Sequence, residues 1–240
     1  NTRADGTGTL YAAGLTTYSP VGNITLYAKW TGNPYTVTYN GNGNTSGATT
    51  AKSITGGTPV AMTANGFIRT GYTFNGWADT NTVSTSQYAD GSTQTFYSNV
   101  TLYAIWKPDV YTITYNANSA LGAATKSSET YTVGTTGVTL PTVGTMVKQG
   151  YRLTGWATTN TGTTALTSPY VATASITLYA IWTANQYTLY YDSNTATSGS
   201  IAALVFTAGT PFTITPVTPS IARTGYTSNG WNTVRNGSGT

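Results

Sequence analysis

The sequence predicts a mainly β protein built from tandem repeats, and three observations carry that prediction. Thr, Tyr, Val, Ile and Trp, which suit a pleated and half-buried surface, are frequent. Charged residues make up only 7% of the 240 positions, against roughly 25% in an ordinary soluble domain. An aromatic-rich phrase is spelled three times: NITLYAKWTGNPYTVTYN at 23–40, NVTLYAIWKPDVYTITYN at 99–116 and SITLYAIWTANQYTLYYD at 175–192.

The first half of each phrase alternates with period two, as a half-buried strand requires. In Leu102-Tyr-Ala104-Ile-Trp106, Leu, Ala and Trp share one face, the expected core side. In the second half, Tyr111, Ile113 and Tyr115 share a face and Thr112 and Thr114 point the other way, as in Tyr35–Tyr39. A stretch such as Tyr131–Thr135 reads as a further strand. The motif G-Y-x-x-x-G-W, at Gly71–Trp77, Gly150–Trp156 and Gly225–Trp231, reads as another, with Gly where backbones approach closely. No segment carries a run of strong helix formers.

The landmarks set the period. Trp30, Trp106 and Trp182 are 76 residues apart, as are Tyr35, Tyr111 and Tyr187, whereas Trp77, Trp156 and Trp231 are spaced 79 and 75. Insertions therefore fall in loops between the landmarks. The expected organisation is the C-terminal part of a unit at 1–30, complete units at 35–106 and 111–182, and the N-terminal part of a unit at 187–240. Because Asn1-Thr2 lines up with Asn232-Thr233, the chain reads as a window on a longer array, or as two half-units that complete each other between molecules. Only four residues are expected between units (Thr31–Pro34, Lys107–Val110, Thr183–Gln186), giving a semi-rigid string of beads.

These residues also carry a resemblance. Gly71-Tyr-Thr-Phe-Asn-Gly-Trp77, Asn99-Val-Thr-Leu-Tyr-Ala-Ile-Trp106 and Tyr111-Thr-Ile-Thr-Tyr-Asn116 resemble the Listeria–Bacteroides repeat, or internalin B-repeat. The resemblance covers essentially the whole chain. It implies small β-grasp-like domains in tandem on large exported bacterial surface proteins, serving as spacer, stalk or adhesion modules without catalysis.

Catalytic chemistry is not legible. Histidine and cysteine are absent, which removes the commonest general base, the commonest metal ligand and any thiolate site. The six carboxylates, Asp5, Asp79, Asp90, Asp109, Glu129 and Asp192, are scattered, so neither an acid–base pair nor a calcium loop is expected. No cofactor is called for. The net charge of +4 comes from bases spread singly along the chain, which argues against nucleic acid as a partner. No apolar run is long enough to span a bilayer. The loop Gly41–Gly47 reads as a hairpin loop rather than a phosphate cradle.

Expected core residues are Trp30, Trp77, Trp106, Trp156, Trp182 and Trp231 with Tyr35, Tyr111 and Tyr187, because small units need large aromatics to bury enough surface. Tyr27, Tyr103 and Tyr179 point opposite to the Leu/Trp face and are candidate contacts with a neighbour or ligand. Asn23, Asn44, Asn99 and Asn236 head N-x-S/T triplets, which are either glycan acceptors or turn residues. Lys29, Lys52 and Lys126 are weighed as isopeptide staples, but no lysine recurs at a fixed repeat position. The expected role is a non-enzymatic structural region at the cell surface that self-associates into fibres. The alternative is a module binding a glycan or host receptor.

Overall fold

The computed structural model describes residues 1–12, 14, 17–217 and 220–239. It divides into two compact units, Asn1–Asp109 and Val110–Thr240. Every regular element among the described residues is a strand.

In the first unit the strands are β1 (Pro34–Asn40), β2 (Ser46–Gly47), β3 (Lys52–Thr55), β4 (Val60–Ala61), β5 (Phe67–Ile68), β6 (Tyr72–Ala78), β7 (Thr93–Gln94) and β8 (Val100–Pro108). The second holds β9 (Val110–Asn116), β10 (Ser128–Thr132), β11 (Tyr151–Ala157) and β12 (Ile176–Ala184). After these come β13 (Gln186–Leu189), β14 (Ser198–Gly199), β15 (Leu204–Thr207) and β16 (Ile221–Ala222).

Two four-stranded sheets are built alike, in the orders β3-β1-β8-β6 and β10-β9-β12-β11. In each, the opening strand and the closing strand are central and parallel, with Thr38 beside Thr101 and Thr114 beside Thr177. Their outer neighbours run antiparallel. This is a β-grasp-like sheet in which loops and two-residue ladders stand where a helix would cover the core.

Alternation decides what the sheets bury. Val37, Tyr39, Ile54, Trp77, Leu102 and Ala104 form one core, with Met62 packed over it. Ile113, Tyr115, Tyr131, Trp156, Leu178 and Ala180 form the other, with Val138, Met146 and Ala172. Trp77 is fully buried, edge-on to Phe74 and Phe67 at centroid separations of 5.0 and 6.2 Å, the geometry aromatic quadrupoles favour, and tilted against Tyr39 at 4.8 Å. Gly76 marks a register shift in β6 at φ +112°. A Cβ there would lie 2.7 Å from the Ser86 side chain and from the Tyr88 carbonyl, so the second Gly of the motif admits a returning loop.

Two features depart from the sequence reading. The strands run through the expected spacers: Lys107 and Pro108 pair with Thr73 and Tyr72, and Thr183 and Ala184 with Arg152 and Tyr151. Asp109 alone separates β8 from β9, and Asn185 alone separates β12 from β13. Ile105, on the face opposite Leu102, is nevertheless buried.

Leu102 is fully buried on the core face, whereas Thr101 is exposed on the opposite one. Leu102→Ala is expected to destabilise the first unit by about 2–5 kcal/mol, and Thr101→Ala to stay within about 0.5 kcal/mol. Urea unfolding followed by tryptophan fluorescence checks both.

Candidate inter-repeat joint

The repeated phrase folds into a joint whose parts come from three places. The first is the loop after each opening strand. Asn42 and Asn118 occupy the left-handed region at φ 46° and 52°, which Asn tolerates better than most residues. Each backbone N–H donates to the side-chain oxygen two residues earlier, Asn40 or Asn116, at 2.8 Å. This turn aims the amide across the sheet. Asn42 Nδ2 donates to the Ala104 carbonyl and Asn118 Nδ2 to the Ala180 carbonyl, both at 2.9 Å.

The closing strand answers in kind. Trp106 Nε1 donates to the Gly41 carbonyl and Trp182 Nε1 to the Ala117 carbonyl, again at 2.9 Å. Loop and closing strand are thus tied in both directions across 62 to 65 residues of chain. Asn194 repeats the turn at φ 46° on Asp192, but its amide donates to the Arg235 carbonyl. The loop Gly41–Gly47, read from sequence as a plain hairpin loop, is therefore an anchor.

The second part is the single residue between strands. Asp109 N–H donates to the Gly71 carbonyl at 2.9 Å, and its carboxylate accepts from the Thr73 hydroxyl at 2.7 Å. Asn185 N–H donates to the Gly150 carbonyl at 2.8 Å, and the Asn185 carbonyl accepts from Ala208 N–H at 2.9 Å. Asn185 therefore bonds backward into the strands 110–184 and forward into the segment after it. Space there is tight: a Cβ on Gly150 would lie 2.8 Å from the Ala208 methyl, and one on Gly209 3.0 Å from the Tyr151 hydroxyl.

The third part is the turn that opens G-Y-x-x-x-G-W. Tyr72, Tyr151 and Tyr226 N–H donate to the carbonyls of Arg69, Lys148 and Arg223, with Gly71, Gly150 and Gly225 at φ +77° to +81°. Positive φ at that position is the type II turn requirement. The turn places Arg69 and Arg223 over the rings of Tyr72 and Tyr226 at 4.0 Å, and Lys148 over Tyr151 at 5.1 Å. Bases that look scattered along the sequence recur here three residues before the same tyrosine.

The sequence-selected residues fall as follows. Trp77 and Trp156 are buried, and Trp106, Trp182 and Trp231 are half-buried with bonded indoles. Tyr35 and Tyr111 are half-buried and pack on the cores. Trp30 is 89% exposed and Tyr187 44%, because neither segment has a complete sheet around it among the described residues. Tyr103 and Tyr179 are half-buried and Tyr27 is 43% exposed. Asn99 Oδ1 accepts from Thr36 N–H at 2.9 Å, a place Ser175 Oγ takes for Thr112 N–H at 3.0 Å. Asn44 donates to the Ser46 carbonyl, Asn236 Oδ1 accepts from Ser238, and Asn23 is exposed. Among the described residues no three acidic side chains gather as a metal site, and no helix is long and apolar enough to cross a membrane.

The model of one family, the Listeria–Bacteroides repeat domain, matches residues 35–105, 111–181 and 187–240. The chain belongs to the Listeria–Bacteroides repeat domain family. A protein of Evansella cellulosilytica named "Putative membrane protein" is 31% identical over 222 residues, covering 90% of this chain and 31% of the relative. Another from that organism, named "Putative Gly-rich membrane protein", is 34% identical over 143 residues, covering 52% of this chain and 16% of the relative. The chain thus spans less than a third of the length of these relatives.

The Listeria–Bacteroides repeats at 35–105 and 111–181 differ at a cluster around Glu129. Tyr39 Oη accepts from Thr63 N–H, but its counterpart Tyr115 donates to Glu129 at 2.6 Å, and Lys126 pairs with Glu129 at 2.8 Å. Burial, and then the bond to Glu129, push the Tyr115 phenol up. Burial also tends to raise the Glu129 carboxyl, yet the bonds from Lys126 and Tyr115 outweigh it and hold the group low. A depressed folded-state value stabilises above the unfolded Glu value near about 4.3 and is lost as pH falls through the folded value. The raised Tyr115 value works in reverse, stabilising below about pH 10 and lost as pH rises. Glu129→Gln is expected to flatten the acid limb of the stability profile of the second unit by up to about 1 kcal/mol, read from thermal midpoints between about pH 5 and 3.

Proposed function

We propose that this chain is a non-enzymatic, load-bearing stretch of a large extracellular surface protein, in which each repeat transmits tension to the next. The parallel pairing of opening and closing strands carries this reading. Pulling a unit by its two ends pulls β1 from its N-terminal end and β8 from its C-terminal end. In a parallel pair those ends lie at opposite ends of the ladder. Force therefore runs along the strands, and the ladder bonds must fail together rather than in sequence. The Asn42 and Trp106 bonds bridge the same closing strand and reinforce it.

Family membership and the relatives' names support a surface setting. The low charge and the hydroxyl-rich outer faces suit a surface that meets water and neighbouring molecules with little electrostatic steering.

Single-molecule pulling tests the proposal. Stretching through residues 35 and 106 is expected to give a high unfolding force and a contour gain of roughly 250 Å, at about 3.6 Å per extended residue. Pulling instead through Tyr72 and Pro108, which face each other across the antiparallel edge, opens one pair at a time and is expected to need much less force. Equal forces in the two directions would remove the basis for a load-bearing role.

A further inference from the structure

Four asparagines head N-x-S/T triplets, and two of them, Asn44 and Asn99, lie in the repeat at 35–105. Asn23 and Asn236 lie outside both four-stranded sheets. Asn44 and Asn99 therefore offer a comparison within one fold, and the fold treats their amides differently. Asn44 is committed to its own loop. Its Nδ2 donates to the Ser46 carbonyl at 3.0 Å and to the Gly47 carbonyl at 3.4 Å. The side chain is half-buried and packs on Gly41, where a Cβ would overlap it. A sugar on Nδ2 replaces one of the two amide hydrogens, so a substituted Asn44 loses one of these bonds and its packing.

Asn99 is the opposite case. It is exposed and stands immediately before β8. Its Oδ1 accepts from Thr36 N–H at 2.9 Å. A backbone N–H can only donate, so the oxygen of the amide, not the nitrogen, faces Thr36. Nδ2 makes no hydrogen bond among the described residues. With Thr36, Thr38, Val100 and Thr101, Asn99 lines a shallow hollow that contains no charged side chain. Thr101, the third residue of the triplet, is exposed there and its hydroxyl is likewise unbonded.

The next repeat shows what the sheet itself requires at this position. Ser175 Oγ accepts from Thr112 N–H at 3.0 Å, so an oxygen acceptor alone closes the corner. Asparagine supplies the same acceptor together with an amide nitrogen that the fold does not use. Substitution at that nitrogen leaves Oδ1 and one N–H in place, and the bond to Thr36 survives it.

We infer that Asn99 is an N-glycosylation site whose glycan stands over the threonine-lined hollow at the start of the parallel ladder. The donor is a sugar activated at C1 by a phosphate or pyrophosphate leaving group. Asn99 Nδ2 forms the bond to C1, and the C1–O bond breaks. Its electron pair departs with the phosphate, and the displaced amide proton goes to a base of the transferase. Thr101 supplies the hydroxyl that the acceptor triplet calls for at its third position. The attached chain is bulky and solubilising, and it covers a face that otherwise presents only small uncharged groups. The modification does not rest on the load-bearing reading, because it adds no bond to the ladder and removes none.

Tryptic digestion of the protein isolated from its own cells separates the two triplets. Asn44 falls on the peptide 30–52 and Asn99 on the peptide 70–126, because the bond between Lys107 and Pro108 is not cut. Mass spectrometry is expected to find added sugar mass on the second peptide and none on the first, with electron-transfer fragmentation placing it on Asn99 rather than on a threonine. Asn99→Ser, made in the same cells, is expected to lose that mass and keep the wild-type circular dichroism, because a serine holds Thr112 N–H at the equivalent corner. An Asn99 without sugar, an Asn44 modified to the same extent, or an Asn99→Ser chain that keeps the mass overturns the inference. Cell fractionation, read separately, decides the surface setting, so failure of one reading is not mistaken for failure of the other.

Discussion

The parallel ladder between opening and closing strand is the contact on which the rest of each complete unit depends. It joins residues about sixty positions apart, so the entropy of closing a long loop is spent before the ladder's own contacts offset it. Everything else in the sheet is arranged around it. β3 extends the opening strand and β6 the closing one, and the core lies on the single face that both strands share. The reciprocal Asn42 and Trp106 bonds hold that one closure from the side, and the second unit repeats them with Asn118 and Trp182.

The same sheet sets where each closing strand ends. Because the closing strand is paired up to Pro108 or Ala184, the chain leaves a unit still inside the sheet. One residue later it enters the next opening strand. Asn185 is bonded on both sides, to Gly150 before it and to Ala208 after it.

The sequence makes the strands and much of the core legible, because period-two alternation and burial are local consequences of one another. Val37, Ile113 and Leu102 stand where alternation places them, whereas Trp77 and Trp156 reach the core through the register shifts in β6 and β11. The joint is less legible. Asn42 and Asn118 lie in a loop whose neighbours vary between copies, and only their 76-residue spacing and left-handed turn mark them. Arg69, Lys148 and Arg223 escape notice when lysines are compared only with lysines. A cation above a ring needs charge, not a particular base. Ile105 faces outward by alternation yet is buried, an outcome set by tertiary packing. The spacers look four residues long because the landmarks stop at Trp106, while the partner strand β6 continues to pair beyond it.

Native-state hydrogen exchange tests this account most directly. If the parallel ladder is the keystone, the amides of β8 and β12 exchange only by global opening of their unit, with the same free energy as those of β1 and β9. The edge strands β3 and β10 then exchange sooner. A β1–β3 hairpin that stays protected after the β8 amides have exchanged would contradict it.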